Sequence, residues 1–316
     1  MNVDHLLDPD YAFFLEEPSS EWTLAALPGI RARIGANSKI PETSRGEQRW
    51  TGDTADVDGV RLCIYRPAPV IETPSPPSIL YLHGGGFVLG SPEMADDYLA
   101  DLAVELQAVI VAVDYRLAPE HPFPAPLEDC YTALDWLFRQ SHALGLDRQK
   151  VVIMGHSAGG GLAAALALLV RERREYSVAG LLMIYPMLDH RTGSAAVPSA
   201  NPTTGTLNWR PQANQFCWQC LQGSYAARDE KACLFSPALA VDLRGLPRSF
   251  IGVGSLDLFL EEGVDFALKL SRSGVSSELH VYPGVPHMFD QYPGRMTDQC
   301  RSGVALALGR MWTASA

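Results

Sequence analysis

Residues 151–170 read VVIMGHSAGGGLAAALALLV. The apolar run at the start of this stretch is typical of a buried strand, and the small-residue run at its end predicts a helix. Between the two lies the pattern Gly-x-Ser-x-Gly, formed by Gly155, Ser157 and Gly159. A serine on so tight a strand-to-helix turn has strained backbone angles, and side chains two residues away on either side would collide. The stretch therefore predicts an accessible serine nucleophile at the start of a helix.

Apolar runs of this type recur along the chain and alternate with helical patterns. Predicted strands lie at 60–65, 79–82, 108–113, 151–154, 181–185 and 250–253. Predicted helices lie at 93–106, 127–138, 158–175, 261–271 and 297–311. The first strand alternates apolar and polar residues, whereas the later ones are apolar throughout, which fits strands covered on both faces. The order of elements predicts an α/β fold with a mostly parallel central sheet flanked by helices.

Two regions interrupt this alternation, residues 1–50 and residues 191–236. The first precedes all the strands and contains helical pieces, with Trp22 and Trp50 as anchors. The second is long, and structureless insertions beyond about 15 residues are uncommon unless they have a function. Because α/β folds bind ligands at the carboxyl edge of the sheet, we expect a helical cap segment at 1–50. We expect a catalytic domain at 51–316, with a cap or lid insertion at 191–236.

Charge and composition exclude several classes of protein. The 316 residues include 36 acidic and 25 basic side chains, which gives a net charge of −11. A phosphate backbone attracts clustered Lys and Arg, so no nucleic-acid partner is expected. The longest apolar run, at 158–170, is shorter than the roughly 20 residues that cross a bilayer, so no integral membrane association is expected.

The cysteines and the first residues of the chain bear on its compartment. The N-terminus has no basic segment, and acidic residues interrupt it early, which predicts no secretory signal. We therefore expect a cytoplasmic protein with free thiols. Cys217 and Cys220 form a C-x-x-C pattern, which also occurs as half of a zinc site. Because no second pair exists and the aromatic Phe216 and Trp218 interleave with the cysteines, we expect packing residues and no metal.

A glycine-rich stretch, HGGG at residues 83–86, follows the predicted strand at 79–82. Three glycines leave their backbone N–H groups unobstructed, so that these groups can converge on a developing oxyanion. The other interpretations are a flexible turn and a nucleotide-binding loop. The nucleotide pattern G-x-G-x-x-G fails because Leu89 stands where its third glycine belongs. With a serine nucleophile downstream, the stretch predicts an oxyanion hole.

The serine nucleophile requires a base, and the base requires a carboxylate to hold it. In the α/β-hydrolase topology the chain order is Ser, acid, His, which confines the search to residues after 157. His190 precedes every plausible acid except Asp189, and His280 alternates with apolar residues in an apparent strand. His287 lies in a loop after that strand, where a base can reach over the sheet edge. We therefore predict that His287 is the base.

Two aspartates follow predicted strands and are candidates for the acid. Asp257 lies just past the strand at 250–253, and Asp189 lies just past the strand before it. We predict Asp257 and keep Asp189 in reserve. The acid's role is to orient the imidazole and hold its tautomer, without itself becoming protonated.

These motifs resemble those of bacterial hormone-sensitive-lipase-like esterases, which are carboxylesterases of the α/β-hydrolase fold. The matching stretches are HGGGF at 83–87, DYRLAPE at 114–120, GHSAGG at 155–160, YP at 185–186, GSLD at 254–257, and His287. They occur in the family's order and spacing from about residue 50 to the end of the chain. The first two stretches are much more specific than G-x-S-x-G.

The resemblance implies an α/β-hydrolase fold, an N-terminal helical cap, no cofactor and hydrolysis of short- to medium-chain acyl esters. It also implies that the oxyanion is held by the backbone N–H groups of Gly85, Gly86 and Ala158. A small-molecule ester is the expected substrate, and the family likeness suggests a homodimer.

The sequence departs from the family pattern at two positions. His156 stands before the nucleophile, where these esterases usually have Asp, and Leu258 stands after the acid, where they usually have Pro. Neither departure falls on a triad position. The imidazole at 156 would either alter the local field and pH profile or only fill space, and we favour the second.

Aromatic residues of the 191–236 insertion and the glycine-rich stretch are candidates for the acyl or alcohol pocket. They are Phe87, Trp209, Phe216 and Trp218, and each is at least as good a candidate for the core of the cap. The leading function is a serine carboxylesterase. An amidase, a lactonase or a carbamate hydrolase would use the same triad, and a non-catalytic small-molecule receptor could share the fold.

Overall fold

The computed structural model describes residues 3–16, 21–37, 48–49, 57–67, 75–196, 201–226 and 228–313. The described chain forms one sheet of eight strands in the order β1-β2-β4-β3-β5-β6-β7-β8. The strands are β1 (Gln48–Arg49), β2 (Arg61–Tyr65), β3 (Ser78–Leu82), β4 (Val109–Asp114), β5 (Val151–His156), β6 (Gly180–Ile184), β7 (Ser249–Gly254) and β8 (Ser277–Tyr282). Strand β2 is antiparallel to β1 and β4, and every other pairing is parallel. The predicted mostly parallel α/β sheet is confirmed.

Helices cover both faces of the sheet. They are α1 (Leu27–Asn37), α2 (Asp96–Leu106), α3 (Ala125–Gln140), α4 (Ala158–Arg173), α5 (Pro211–Gln222), α6 (Ala232–Phe235), α7 (Leu260–Arg272) and α8 (Arg295–Thr313). Helices α3, α4 and α7 pack in one apolar core, and α2 and α8 pack in the other. Strands β3, β5, β6 and β7 are buried along their whole length, because both faces are covered.

Helix α4 is buried on every side through most of its length, from Ala158 to Val170. It contacts β5 and β6 beneath it and α3 and α6 beside it. The run of alanine, glycine and leucine therefore reflects a position inside the molecule. Across the described residues, no helix has both the length and the apolar character needed to span a membrane.

The N-terminal segment divides into two parts with different neighbours. Helix α1 lies at the carboxyl edge of the sheet together with the 191–236 insertion, and the Trp22 ring lies 5.3 Å from the ring of Trp209. The 3-10 helix Pro9–Glu16 packs instead beside α8, where the Tyr11 hydroxyl lies 2.9 Å from Thr297 Oγ1. The described parts of residues 1–50 therefore have two different sets of neighbours, and the cap segment over 1–50 stays a prediction. Trp50, with residues 17–20, 38–47 and 197–200, lies outside the described residues.

Candidate active site

Ser157 occupies the turn between β5 and α4, with a left-handed backbone at φ +55° and ψ −120°. Crowding explains the flanking glycines. A Cβ on Gly155 would lie 2.1 Å from the carbonyl oxygen of Gly159, and a Cβ on Gly159 would lie 2.1 Å from that of Leu82. Both contacts are with backbone, which cannot swing aside as a side chain can. The turn therefore requires glycine at both positions, as the sequence pattern predicts.

Three side chains form a continuous hydrogen-bonded chain at the carboxyl edge of the sheet. His287 Nε2 lies 2.9 Å from Ser157 Oγ, and His287 Nδ1 lies 2.8 Å from Asp257 Oδ2. Asp257 follows β7 and is fully buried, and its second oxygen accepts the N–H of Phe259 at 2.9 Å. With Nδ1–H donated to the carboxylate, the lone pair of Nε2 is directed at the serine hydroxyl. This geometry allows the imidazole to remove the serine proton.

The alternative acid and bases lie in other hydrogen-bond networks. Asp189 pairs with Arg191 at 2.7 Å. Burial acts to raise the pKa of Asp189, but hydrogen bonds from Arg191 outweigh it and the pKa is lowered. His190 Nδ1 is bonded to the hydroxyl of Ser236, and His280 lies on β8 beside a glutamate. The structure thus brings together the predicted serine, aspartate and histidine and leaves these residues apart.

The glycine-rich loop after β3 passes directly beside the nucleophile, since a Cβ on Gly84 would lie 3.4 Å from the Cβ of Ser157. Gly85 and Gly86 have φ values of +119° and +61°. A Cβ on Gly85 would lie 2.2 Å from the carbonyl oxygen of Leu89. Among the described residues, the N–H groups of Gly85 and Gly86 donate to no backbone carbonyl.

Ala158 is the first residue of α4, so its N–H has no hydrogen-bond partner within the helix. The loop and this helix start place unpaired amides on either side of the serine, and the positive end of the α4 dipole adds to them. Such amides can stabilise a negative oxygen bound next to Ser157.

Comparison with known proteins identifies the family. The sequence profile of the alpha/beta hydrolase fold family matches residues 79–291. The chain belongs to this family. It is 31% identical over 256 residues to the ethyl acetate hydrolase of Pseudomonas putida. The alignment covers 81% of this chain and 79% of that protein. It is 33% identical over 276 residues to the carboxylesterase NlhH of Mycobacterium tuberculosis strain ATCC 25618 / H37Rv, with 84% and 83% covered.

Solved structures of α/β-hydrolases agree with this assignment. A bacterial heroin esterase superposes with a TM-score of 0.87 at 30% identity, covering 99% of this chain and all of the other. A hormone-sensitive lipase from a metagenome library superposes with a TM-score of 0.81 at 28% identity, with 97% and 99% covered. The resemblance found in the sequence motifs is confirmed, and the enzyme class is that of these relatives, carboxylic ester hydrolase.

A cavity of about 710 Å³ opens over Ser157 in this α/β-hydrolase. Its walls are mostly apolar and aromatic, and Trp22, Trp209 and Tyr292 are among the residues that line it. Of the four aromatic residues predicted for a substrate pocket, Trp209 lines this cavity, and its ring lies 5.8 Å from that of His287.

The other three predicted pocket residues lie elsewhere. Phe87 and Trp218 pack against each other at 5.1 Å between ring centroids, and they line a separate small void behind the glycine-rich loop. Phe216 is half-buried, does not line the cavity, and its ring lies 6.1 Å from that of Trp22. For Phe216 and Trp218 the reason is the rotation of α5, which directs Gln212 and Ala213 rather than its aromatic residues at the cavity. Phe87 and Trp218 are therefore core residues, and Phe216 packs against the same core.

Sequence reasoning missed Asn208, whose side-chain Nδ2 donates to the carbonyl oxygen of His287 at 2.7 Å. Asn208 has a left-handed backbone at φ +54°, a conformation that asparagine tolerates better than most residues. No motif marks it, because its partner lies 79 residues further along the chain. The insertion thus reaches the backbone of the candidate base. Within the described residues, no group of three or more His, Cys, Asp or Glu is placed to hold a metal ion.

Proposed function

We propose that this α/β-hydrolase cleaves carboxylic esters with Ser157 as nucleophile, His287 as general base and acid, and Asp257 as the orienting carboxylate. The observation that carries the proposal is the unbroken hydrogen-bonded chain, at 2.9 Å and 2.8 Å, beside a loop with unpaired backbone amides. That arrangement supplies each group that acyl transfer to a serine requires.

The reaction follows from this geometry in two halves. Ser157 Oγ attacks the ester carbonyl carbon while His287 Nε2 takes the hydroxyl proton. The carbonyl oxygen becomes an oxyanion, which the N–H groups of Gly85, Gly86 and Ala158 stabilise. As the carbon–oxygen bond to the alcohol breaks, the imidazolium returns its proton to the leaving oxygen. Water, deprotonated by the same imidazole, then releases the acid and restores the serine.

Short- to medium-chain acyl esters are the proposed substrates. The supporting observation is a cavity of about 710 Å³ with largely apolar and aromatic walls. A cavity of this volume accommodates a small ester and limits the length of the acyl chain that it can enclose. Trp209 stands beside the base, so we propose that its ring contacts the bound ester. We also propose that α1 and the insertion together form the cap over this cavity.

The free thiols and the family likeness support two further proposals. All six cysteines are free, and five of them are buried, which favours a cytoplasmic location where thiols stay reduced. A homodimer is proposed on the family likeness. Light scattering of the purified chain tests this by measuring its molar mass in solution.

The test is hydrolysis of 4-nitrophenyl esters from acetyl to dodecanoyl by the wild type and by Ser157→Ala. We expect turnover that is greatest for the shorter acyl chains and a loss of about 10⁵-fold or more in the variant. Ser141→Ala is the matched control, because Ser141 is a buried serine that directly follows α3 and its hydroxyl donates to the carbonyl oxygen of Phe138 in that helix. Turnover of the corresponding anilides but not the esters would indicate an amidase. No turnover of any member by the wild type would refute the proposal.

A further inference from the structure

A second contact joins the nucleophile turn to the loop that carries the base. His156 directly precedes Ser157, and Asp290 lies three residues after His287. His156 Nε2 lies 3.2 Å from Asp290 Oδ2. Two adjacent residues of the turn therefore each contact the same loop. Ser157 is hydrogen-bonded to His287, and His156 pairs with Asp290.

Asp290 also holds a ring that packs against the base. The Tyr185 hydroxyl donates to Asp290 Oδ1 at 2.5 Å, and the Tyr185 ring meets the His287 ring at 4.5 Å in an edge-on arrangement. Tyr185 follows β6 with a left-handed backbone at φ +37°, and its N–H donates to the carbonyl oxygen of Gly252 at 2.6 Å. Both ends of the tyrosine are thus fixed, and its ring forms one wall of the His287 site.

The cluster is buried, with His156 6%, Asp290 7% and Tyr185 0% exposed. A buried carboxylate is costly unless it is paired and hydrogen-bonded. Burial acts to raise the pKa of Asp290, but the hydrogen bonds from His156 and Tyr185 outweigh it and the pKa is lowered. Asp290 is therefore an ionised acceptor that draws both donors toward itself.

Within the described residues, the other polar side chains near this cluster do not replace the hydrogen bonds that His156 and Tyr185 form with the Asp290 carboxylate. The rings of Tyr81 and Tyr98 lie 5.5 Å and 5.6 Å from the His156 ring, and neither hydroxyl bonds Asp290 within the described residues. Arg301 donates to the backbone carbonyl oxygen of Asp290 at 3.2 Å and not to its carboxylate.

The chemistry of position 156 matters for the same reason. An aspartate there would bring a second carboxylate against Asp290, and two buried carboxylates in contact cannot both stay ionised. An imidazole instead supplies an N–H donor to the existing carboxylate. His156, one of the two residues at which this chain departs from the usual family pattern, is therefore matched by Asp290 in the base loop.

We propose that His156, Asp290 and Tyr185 form a positioning cluster that holds His287 at hydrogen-bond distance from Ser157. The inference rests on the proposed function of those two residues. Asp290 is the member to test, because it does not line the cavity, whereas His156 and Tyr185 do. Loss of its carboxylate frees the loop and the tyrosine ring together, and a displacement of about 1 Å at a reacting pair costs on the order of 10²-fold in rate.

The first experiment compares wild type, Asp290→Asn and Tyr185→Phe in hydrolysis of 4-nitrophenyl butyrate. Rates are normalised to active sites titrated with a fluorophosphonate. We expect kcat to fall about 10- to 100-fold in Asp290→Asn and less in Tyr185→Phe, with KM within about threefold of wild type. Asp129→Asn is the matched control, because Asp129 is an equally buried carboxylate that bonds Arg116 away from the cavity. It should lower the melting temperature and leave kcat unchanged.

The second experiment exchanges the imidazole and the carboxylate between the two positions. His156→Asp alone should lower kcat as Asp290→Asn does, and the double variant His156→Asp with Asp290→His should recover most of it. A purely structural role predicts that kcat per active site stays within about twofold of wild type in every variant that folds, while only the melting temperature changes. That result would overturn the cluster and leave the proposed function intact. Wild-type protein without Ser157-dependent turnover would instead overturn the proposed function itself.

Discussion

At Gly159 the nucleophile turn lies in close contact with the backbone at the end of β3, where the glycine-rich loop begins. Replacing this glycine by alanine tests how closely the two segments must approach. The new Cβ would lie 2.1 Å from the carbonyl oxygen of Leu82 and 2.4 Å from that of His83. Contacts of a Cβ below 3.0 Å essentially do not occur, so the turn and the end of β3 must separate by roughly 1 Å. A displacement of that size between reacting groups costs about 10²-fold in rate, and overpacking costs a further 1–3 kcal/mol or so of stability.

The assay is kcat for 4-nitrophenyl butyrate per titrated active site, together with the free energy of unfolding in urea. Gly309→Ala is the matched control, because Gly309 lies inside α8 with no atom within 4 Å of its added Cβ. Alanine there should leave kcat unchanged and stabilise the helix by up to about 1 kcal/mol. The steric argument would be refuted if Gly159→Ala kept kcat within about threefold of wild type with an unchanged free energy of unfolding.

Three further outcomes are expected. Asp257→Asn should lower kcat by about 10⁴-fold by presenting the wrong imidazole tautomer. Asp189→Asn should stay near wild type in the same assay, and the reverse order would transfer the role to Asp189. Trp209→Ala should raise KM for the butyrate about tenfold with a smaller change in kcat, because an apolar wall is lost; an unchanged KM would remove this ring from the substrate site. Hydrogen bonds from Arg31 lower the pKa of Glu120 to about 2, so their ion pair stabilises the fold above the ordinary carboxyl pKa and is lost as pH falls toward 2. The difference in free energy of unfolding between wild type and Arg31→Gln should therefore shrink by up to about 1 kcal/mol on acidification, a small amount because the pair is partly exposed. A difference in urea unfolding that does not change with pH would contradict this.

The choice of acid shows where the sequence left a question that the fold answers. Both Asp189 and Asp257 follow strands, and their local patterns differ little. In the sheet, β7 lies beside β8, so the loops after these strands meet and bring Asp257 to His287. Asp189 is instead occupied by Arg191 two residues away.

The substrate cavity shows a larger gap between sequence and structure. Its walls combine Trp22 and Tyr292, from opposite ends of the chain, with Trp209 from the insertion. Aromatic residues in a cap are equally good core residues, and the rotation of α5 decides which of them face the cavity. The sequence lacks that information and so predicts Phe216 and Trp218 for the pocket, whereas in the structure Phe216 packs beside Trp22 and Trp218 packs against Phe235.

The elements with local causes could be predicted from the order of residues alone. The strand-turn-helix around Ser157, the glycines that its crowding demands, the glycine-rich loop and the parallel sheet all follow from residues a few positions apart. Tertiary structure decided the contacts between distant segments, such as Tyr11 with Thr297 and His156 with Asp290. The physical reason is that backbone sterics and hydrophobic period act over one turn or one strand, whereas the pairing of buried polar groups depends on which loops the folded sheet brings to one edge.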